Sequence, residues 1–370
     1  MAFDKMIVKK LLKKFDDVPF VVKFPDGEEF KVGEGEPQAI IRANGGIDMG
    51  AVMKSPSLAL GEAYMDKTLE LEKGDLFEIL NMVLAKLEDF ASDFSGLTKI
   101  MKTSTSKKNQ KQEIATHYDI GNEFFELWLD ETMSYSCGYF KHETDTLYDA
   151  QVHKVEHILK KLNLKEGQTL LDIGCGWGYL LIAAAKKYHV KGVGITLSEE
   201  QYKKGQERIK AEGLEGQVEI RLMDYRDLEK SGMTFDRIVS VGMLEHVSRD
   251  NYPLFFKNID KVLNKKGIVL LHYISGRQEH DGDPWIKKYI FPGGIIPSLR
   301  EIIYLIGEYN YYTLDVESLR RHYEKTLLEW SKNYAAKRDV IDTMFEERFV
   351  RMWELYLVSY FVVLYQLFTF

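Results

Sequence analysis

A chain of 370 residues with 45% hydrophobic and 29% charged side chains has the proportions of a globular protein and the length for two or three domains. Its formal net charge of -7 excludes a general polyanion binder, so no nucleic-acid partner is expected. Cys137 and Cys175 are the only cysteines, which excludes a disulfide scaffold and a cysteine-built zinc site; no metal is expected, and the count fits a reducing, cytoplasmic compartment. Residues Met1 to Phe20 lack the apolar core of a secretion signal, and no run of about 18 apolar residues is present to span a bilayer.

Residues 1–90 read as a first domain. Met6 to Phe15 places Ile7, Leu11 and Phe15 near helical spacing with Lys9, Lys10, Lys13 and Lys14 around them. Such a basic amphipathic helix either lies on an anionic membrane surface or docks on its own domain. Val21 to Phe30 reads as a hairpin around Asp26-Gly27, and Leu58 to Leu69 and Gly74 to Phe90 read as helices. Residues 91–112 form a polar linker in which Lys99, Lys102, Lys107, Lys108 and Lys111 make a second basic cluster, either a solvated connector or a segment that brushes a charged membrane. A larger domain follows over 113–370. It opens with a helix over 149–162, then a strand at 169–173, a helix at 179–188 and a strand at 191–195. A helix at 199–212, strands at 217–222 and 235–241, a helix at 251–263 and a strand at 267–273 complete it. This alternation predicts an α/β fold with a parallel sheet, whose ligands sit beyond the carboxyl ends of the strands.

The strand ends carry the candidate chemistry. Asp172 closes the first strand, and Gly174, Gly176 and Gly178 follow as G-x-G-x-G, a turn that brings backbone close to a ligand. A carboxylate there repels phosphate and suits a positively charged or hydroxyl-bearing ligand, which points to S-adenosylmethionine. The same pattern also serves an ordinary strand–turn–helix whose glycines only permit packing. Thr196 and Leu197 end the second strand, and Ser198-x-x-Gln201 after them is also a helix-capping box. Asp224, Tyr225 and Arg226 end the third, suited to an adenine amino group and ring face or to a plain turn. Glu245 and His272 emerge from the fourth and fifth strands into one crevice, a candidate acid–base pair.

The motifs HYDIGN (117–122), YSCGYF (135–140), LLDIGCGWG (170–178), GITLSEEQ (194–201), DYRD (224–227), FDRIVSVGMLEHV (235–247), LLHYIS (270–275), WIKKYIFPGG (285–294) and HYEKTLLEW (322–330) are specific. Through them the chain resembles the cyclopropane-fatty-acyl-phospholipid synthases and their mycolic acid relatives. The resemblance implies a class I methyltransferase, Rossmann-like parallel sheet with a smaller N-terminal α+β domain. It implies S-adenosylmethionine contacts from Tyr135, Ser136, the loop Asp172 to Gly178, Thr196, Leu197, Gln201, Asp224, Tyr225 and Arg226. It also implies a bicarbonate ion held by Cys137, Glu245, His272, the Ile274 backbone and Tyr323. The substrate it implies is a membrane phospholipid with unsaturated acyl chains, and the protein a homodimer associated peripherally with the inner membrane face. Trp285 to Pro297, apolar with Lys287 and Lys288 interleaved, is either an acyl-chain wall or a buried packing segment. One departure stands out: relatives often have a cysteine near the C-terminus, and Leu355 to Leu364 has none. If the protein is active, a C-terminal thiol is not essential to it; if it is inactive, the altered tail is the first suspect, and the alternative for that apolar tail is a partner or membrane contact.

Overall fold

The computed structural model describes residues 2–15, 18–82, 120–279 and 281–366. Packing divides the chain into two units: Met1–Met101 with Asp283–Tyr289 and Tyr323–Phe370, and Lys102–Gly282 with Ile290–His322.

The second unit is built on a five-stranded sheet: β5 (Thr169–Ile173), β6 (Lys191–Thr196), β7 (Val218–Leu222), β8 (Phe235–Val241) and β9 (Leu263–His272), in the order β7-β6-β5-β8-β9. All four pairings are parallel, as the alternation of apolar runs and helices predicts. One face is covered by the helices Leu147–Lys161 and Tyr179–Tyr188 through Val155, Leu159, Leu181 and Ala184, the other by Tyr252–Val262 through Phe255, Phe256 and Ile259. The chain steps outward in opposite directions from β5, to β6 on one side and β8 on the other. Such a reversal opens a crevice at the carboxyl ends of the central strands.

The first unit carries a second, four-stranded sheet. The expected hairpin forms between β1 (Phe20–Lys23) and β2 (Glu29–Val32), with Lys23 opposite Glu29. β3 (Ala39–Ala43) pairs parallel to β1, and β4 (Leu69–Lys73) antiparallel to β3. Neither was expected. The predicted helix 58–69 ends at Met65, Lys67 turns at φ 57°, and Leu69 starts β4. The N-terminal helix Ala2–Leu12 docks on its own sheet: Lys5 pairs with Asp26 and Glu28, and Lys9 with Glu28. Those two lysines are therefore engaged within the domain. Of the helix expected over 74–90, residues 76–82 are helical; the remainder, the linker 91–112 and His117 to Asp119 lie outside the described residues.

Residues 283–289 and 323–366 pack with the N-terminal residues. The reason is local. On the helix Glu347–Gln366, Arg351 donates to the Tyr64 and Leu69 carbonyls at 2.7 and 3.2 Å, and Glu354 accepts from the Tyr64 hydroxyl at 3.0 Å. Trp353, Tyr356 and Leu357 are buried in the same unit, so this half of the apolar tail belongs to the core. No helix among the described residues is long and apolar enough to cross a membrane.

Trp285 is seated over Gly61, where an added Cβ would meet its indole at 2.5 Å, and its Nε1–H points at Met65 Sδ, 3.2 Å away. Gly61→Val should overpack this contact and cost about 2 kcal/mol, read as a lower urea midpoint. An unchanged midpoint would mean that the indole is not held there.

Candidate active site

The carboxyl ends of the central strands open into a cleft that is partly exposed to solvent. Tyr135, Ser136, Asp172, Gly174, Gly176, Thr196, Leu197, Gln201 and Tyr225 line it. Gly176, at φ 54°, has nothing within 4 Å of where a Cβ would stand, so bare backbone faces the cleft. Gly178 does not line it; at φ 81° it turns the chain into the next helix, and a Cβ there would strike Ile220 at 2.8 Å. Asp224 and Arg226 do not line it either: Arg226 Nε donates to Asp224 Oδ1 at 2.9 Å and its backbone N–H caps on the same oxygen. Ser198 caps the helix Glu199–Ala211, accepting from the Gln201 backbone N–H at 3.2 Å. The Gln201 side chain turns away from that cap, and its Oε1 accepts from Thr196 Oγ1 at 2.8 Å.

Several residues packed around the cleft carry no local sequence signal. On the helix Leu147–Lys161, Gln151 donates to the Ser134 and Ser136 carbonyls at 3.2 and 2.8 Å, and Lys154 Nζ to Ser136 Oγ at 2.8 Å. Residues three apart share a helix face, so this pair clamps the loop that presents Tyr135 and Ser136. Trp177, in the glycine turn, donates through Nε1 to Asn122 Oδ1 at 2.6 Å. Phe291 of the FPGG loop lies 5.5 Å from the His246 ring and 6.5 Å from Tyr135, both of which line the cleft, and so adds an apolar wall.

Glu245 and His272 sit at adjacent strand ends. Val241 is opposite His272 in the β8–β9 ladder, and Glu245 Oε1 accepts the Ile274 backbone N–H at 2.6 Å. The Ile274 amide, expected to hold an ion directly, is thus given to Glu245 and orients it. Ile295 N–H reaches the Glu245 carbonyl at 3.0 Å, which brings the apolar loop alongside. Glu245 Oε2 and His272 Nδ1 are buried and have no hydrogen-bond partner among the described residues. The Cys137 thiol is buried with the Leu319 carbonyl 3.6 Å away. None of these four lines the cleft itself. Tyr323 falls in the first unit, where its ring meets Trp330 edge-on at 6.3 Å.

Residues 105–364 match the mycolic acid cyclopropane synthetase family. The chain belongs to that family. Residues 7–95 match a separate domain family of unknown function. A probable fatty acid methyltransferase of Pseudomonas putida is 39% identical over 92% of this chain and 87% of its own. The cyclopropane-fatty-acyl-phospholipid synthase of Escherichia coli strain K12 is 41% identical over 87% of this chain and 84% of its own. Among solved structures, mycolic acid cyclopropane synthase CmaA1 complexed with SAH and CTAB is similar at TM-score 0.65 and 32% identity, covering 69% of this chain and 93% of that one. This member of the cyclopropane synthetase family is an S-adenosylmethionine-dependent methyltransferase with the class I α/β fold.

The electrostatics of the synthetase site follow from desolvation. Loss of water pushes the His272 and His246 imidazoles down to about 4, so both stay neutral at ordinary pH. The Glu245 carboxyl is pushed from 4.5 up to about 7 by desolvation, against the opposing hydrogen bond from Ile274. Folding therefore favours its protonated form; that stabilisation is whole below pH 4.5 and is lost as pH rises through about 7. Glu245→Gln should flatten the fall in stability across this window, measured by urea unfolding in bicarbonate-free buffer. A slope equal to that of the parent protein would contradict a desolvated carboxyl.

Proposed function

We propose that this protein transfers a methylene from S-adenosylmethionine to the cis double bond of phospholipid acyl chains and closes a cyclopropane ring. The observation that carries this reading is the pair of buried, unpartnered atoms Glu245 Oε2 and His272 Nδ1 at neighbouring strand ends, beside an apolar loop. Methylation of an alkene leaves a carbocation, and ring closure requires a proton to be taken from the new methyl group. Bicarbonate, when bound, supplies that base without exposing a side-chain nucleophile to alkylation.

The two orphaned atoms fit such an ion. Glu245, oriented by Ile274, offers Oε2 as an acceptor for an O–H, and neutral His272 offers one ring nitrogen. Of the further residues that the family resemblance implies, Cys137 is buried in the same unit. Phe291 and Ile295 exclude water, which strengthens every charge interaction made there. The reading includes a homodimer docking reversibly on the inner membrane face. Exposed Tyr304, Tyr312, Leu314 and Val316 on the sheet unit support contact with lipid. Lys288, by contrast, is paired with Glu62 at 2.5 Å. The Pseudomonas putida relative favours a second reading, methyl transfer to a fatty acyl chain without ring closure.

The test is turnover of labelled S-adenosylmethionine on anionic vesicles carrying monounsaturated phospholipid, with the product resolved by NMR. A cyclopropane signal is expected; a methylene branch supports the second reading, and no vesicle binding at low salt removes the membrane claim. Glu245→Gln and His272→Ala should each lower kcat by about 100-fold or more, while S-adenosylhomocysteine affinity stays within about 3-fold. Parent-like turnover in both variants would defeat the assignment.

A further inference from the structure

Lys154 is 4% exposed, and its ammonium, on the helix Leu147–Lys161, lines the same cleft as Asp172, which is 3% exposed. A lysine ammonium has three hydrogens to place. Among the described residues Lys154 places one, on Ser136 Oγ at 2.8 Å. Asp172 is its mirror image: Oδ1 is buried and unpartnered, and the carboxylate makes no hydrogen bond among the described residues. Lys154 senses Asp130 most among the neighbouring charges and Asp172 less, and forms an ion pair with neither. Opposite charges taken out of water are costly unless each finds a partner. Of the described residues lining the cleft, Lys154 is the one that carries positive charge, because His246 is held neutral.

A cleft with one unsatisfied ammonium and one unsatisfied carboxylate, not joined to each other, is complementary to an α-amino-acid zwitterion. We propose that Lys154 binds the carboxylate of the methionine end of S-adenosylmethionine while Asp172 takes its α-ammonium. This rests on the reading of the cleft as the cofactor site, and it fixes which way round the amino-acid end lies. Lys154 holds the Ser136 loop from the same position, so loop and cofactor carboxylate share one cation. Adenosyl compounds that lack the carboxylate forgo this contact.

The test is calorimetric titration of the full chain with S-adenosylhomocysteine and with 5′-methylthioadenosine, which keeps the nucleoside and thioether but has no amino acid. Lys154→Met should weaken S-adenosylhomocysteine binding by about 30-fold or more, the loss of a buried charge-assisted contact. Methylthioadenosine affinity should stay within about 3-fold, and its retention also shows that the cleft is folded. Lys154→Gln, closer in shape and still a donor, should fall between the two proteins for S-adenosylhomocysteine alone. Decarboxylated S-adenosylhomocysteine should bind the parent protein and Lys154→Met equally. Equal losses for both thioethers in both variants would make Lys154 a loop support only and overturn the proposal, as would unchanged S-adenosylhomocysteine affinity. A parent protein that binds neither thioether would overturn the cofactor reading of the cleft itself.

Discussion

Desolvation of ionisable groups at the carboxyl edge of a parallel sheet governs this protein. β5 delivers Asp172 there because the residues around it, Leu170, Leu171 and Ile173, are wholly buried and leave its backbone no freedom to reach water. The helix beneath delivers Lys154, and the ends of β8 and β9 deliver Glu245 and His272. Each departs from ordinary acidity for the same cause, removal of water, with neighbouring charges secondary. A site built this way holds polar atoms ready for a charged ligand and a charge-developing reaction.

Keeping water out demands close backbone approach, and the glycine turn after β5 provides it. Gly174 sits at φ 80° with the Met243 side chain 3.1 Å from where a Cβ would stand. Gly194 in β6 leaves room for Cys175, which a Cβ would meet at 2.6 Å. The turn is thus wedged between neighbouring strands, and at Gly176 nothing stands between its backbone and the cleft. The Trp177–Asn122 hydrogen bond ties a flanking segment to the same turn.

The central sheet was legible because a strand covered on both faces reads as a continuous apolar run, and five such runs alternate with helical patterns. β3 and β4 were not legible. AIIRA and LELEK are short, and LELEK alternates Glu with Leu beside a helical stretch; what makes them strands is pairing with β1 and with each other. In the site, Asp172, Thr196, Gln201, Glu245 and His272 could be picked out because each ends a recognisable strand or starts the helix after it. Lys154 and Gln151 looked like one face of an amphipathic helix, and nothing local says that this face meets a loop 15 to 18 residues earlier. Asp224 and Arg226 show the converse: the motif is plain, but whether the carboxylate faces a ligand or its own neighbour depends on how the turn closes.

Residue order alone determined the parallel α/β sheet and the family to which the chain belongs, because apolar periodicity and glycine turns act over a few residues. Tertiary structure alone decided that the C-terminal helices pack with the N-terminal residues and that Ile274 serves Glu245. It also decided that a buried lysine and a buried aspartate line one cleft. Those outcomes depend on which distant surfaces exclude water from one another, and exclusion of water is a property of the packed chain rather than of any segment within it.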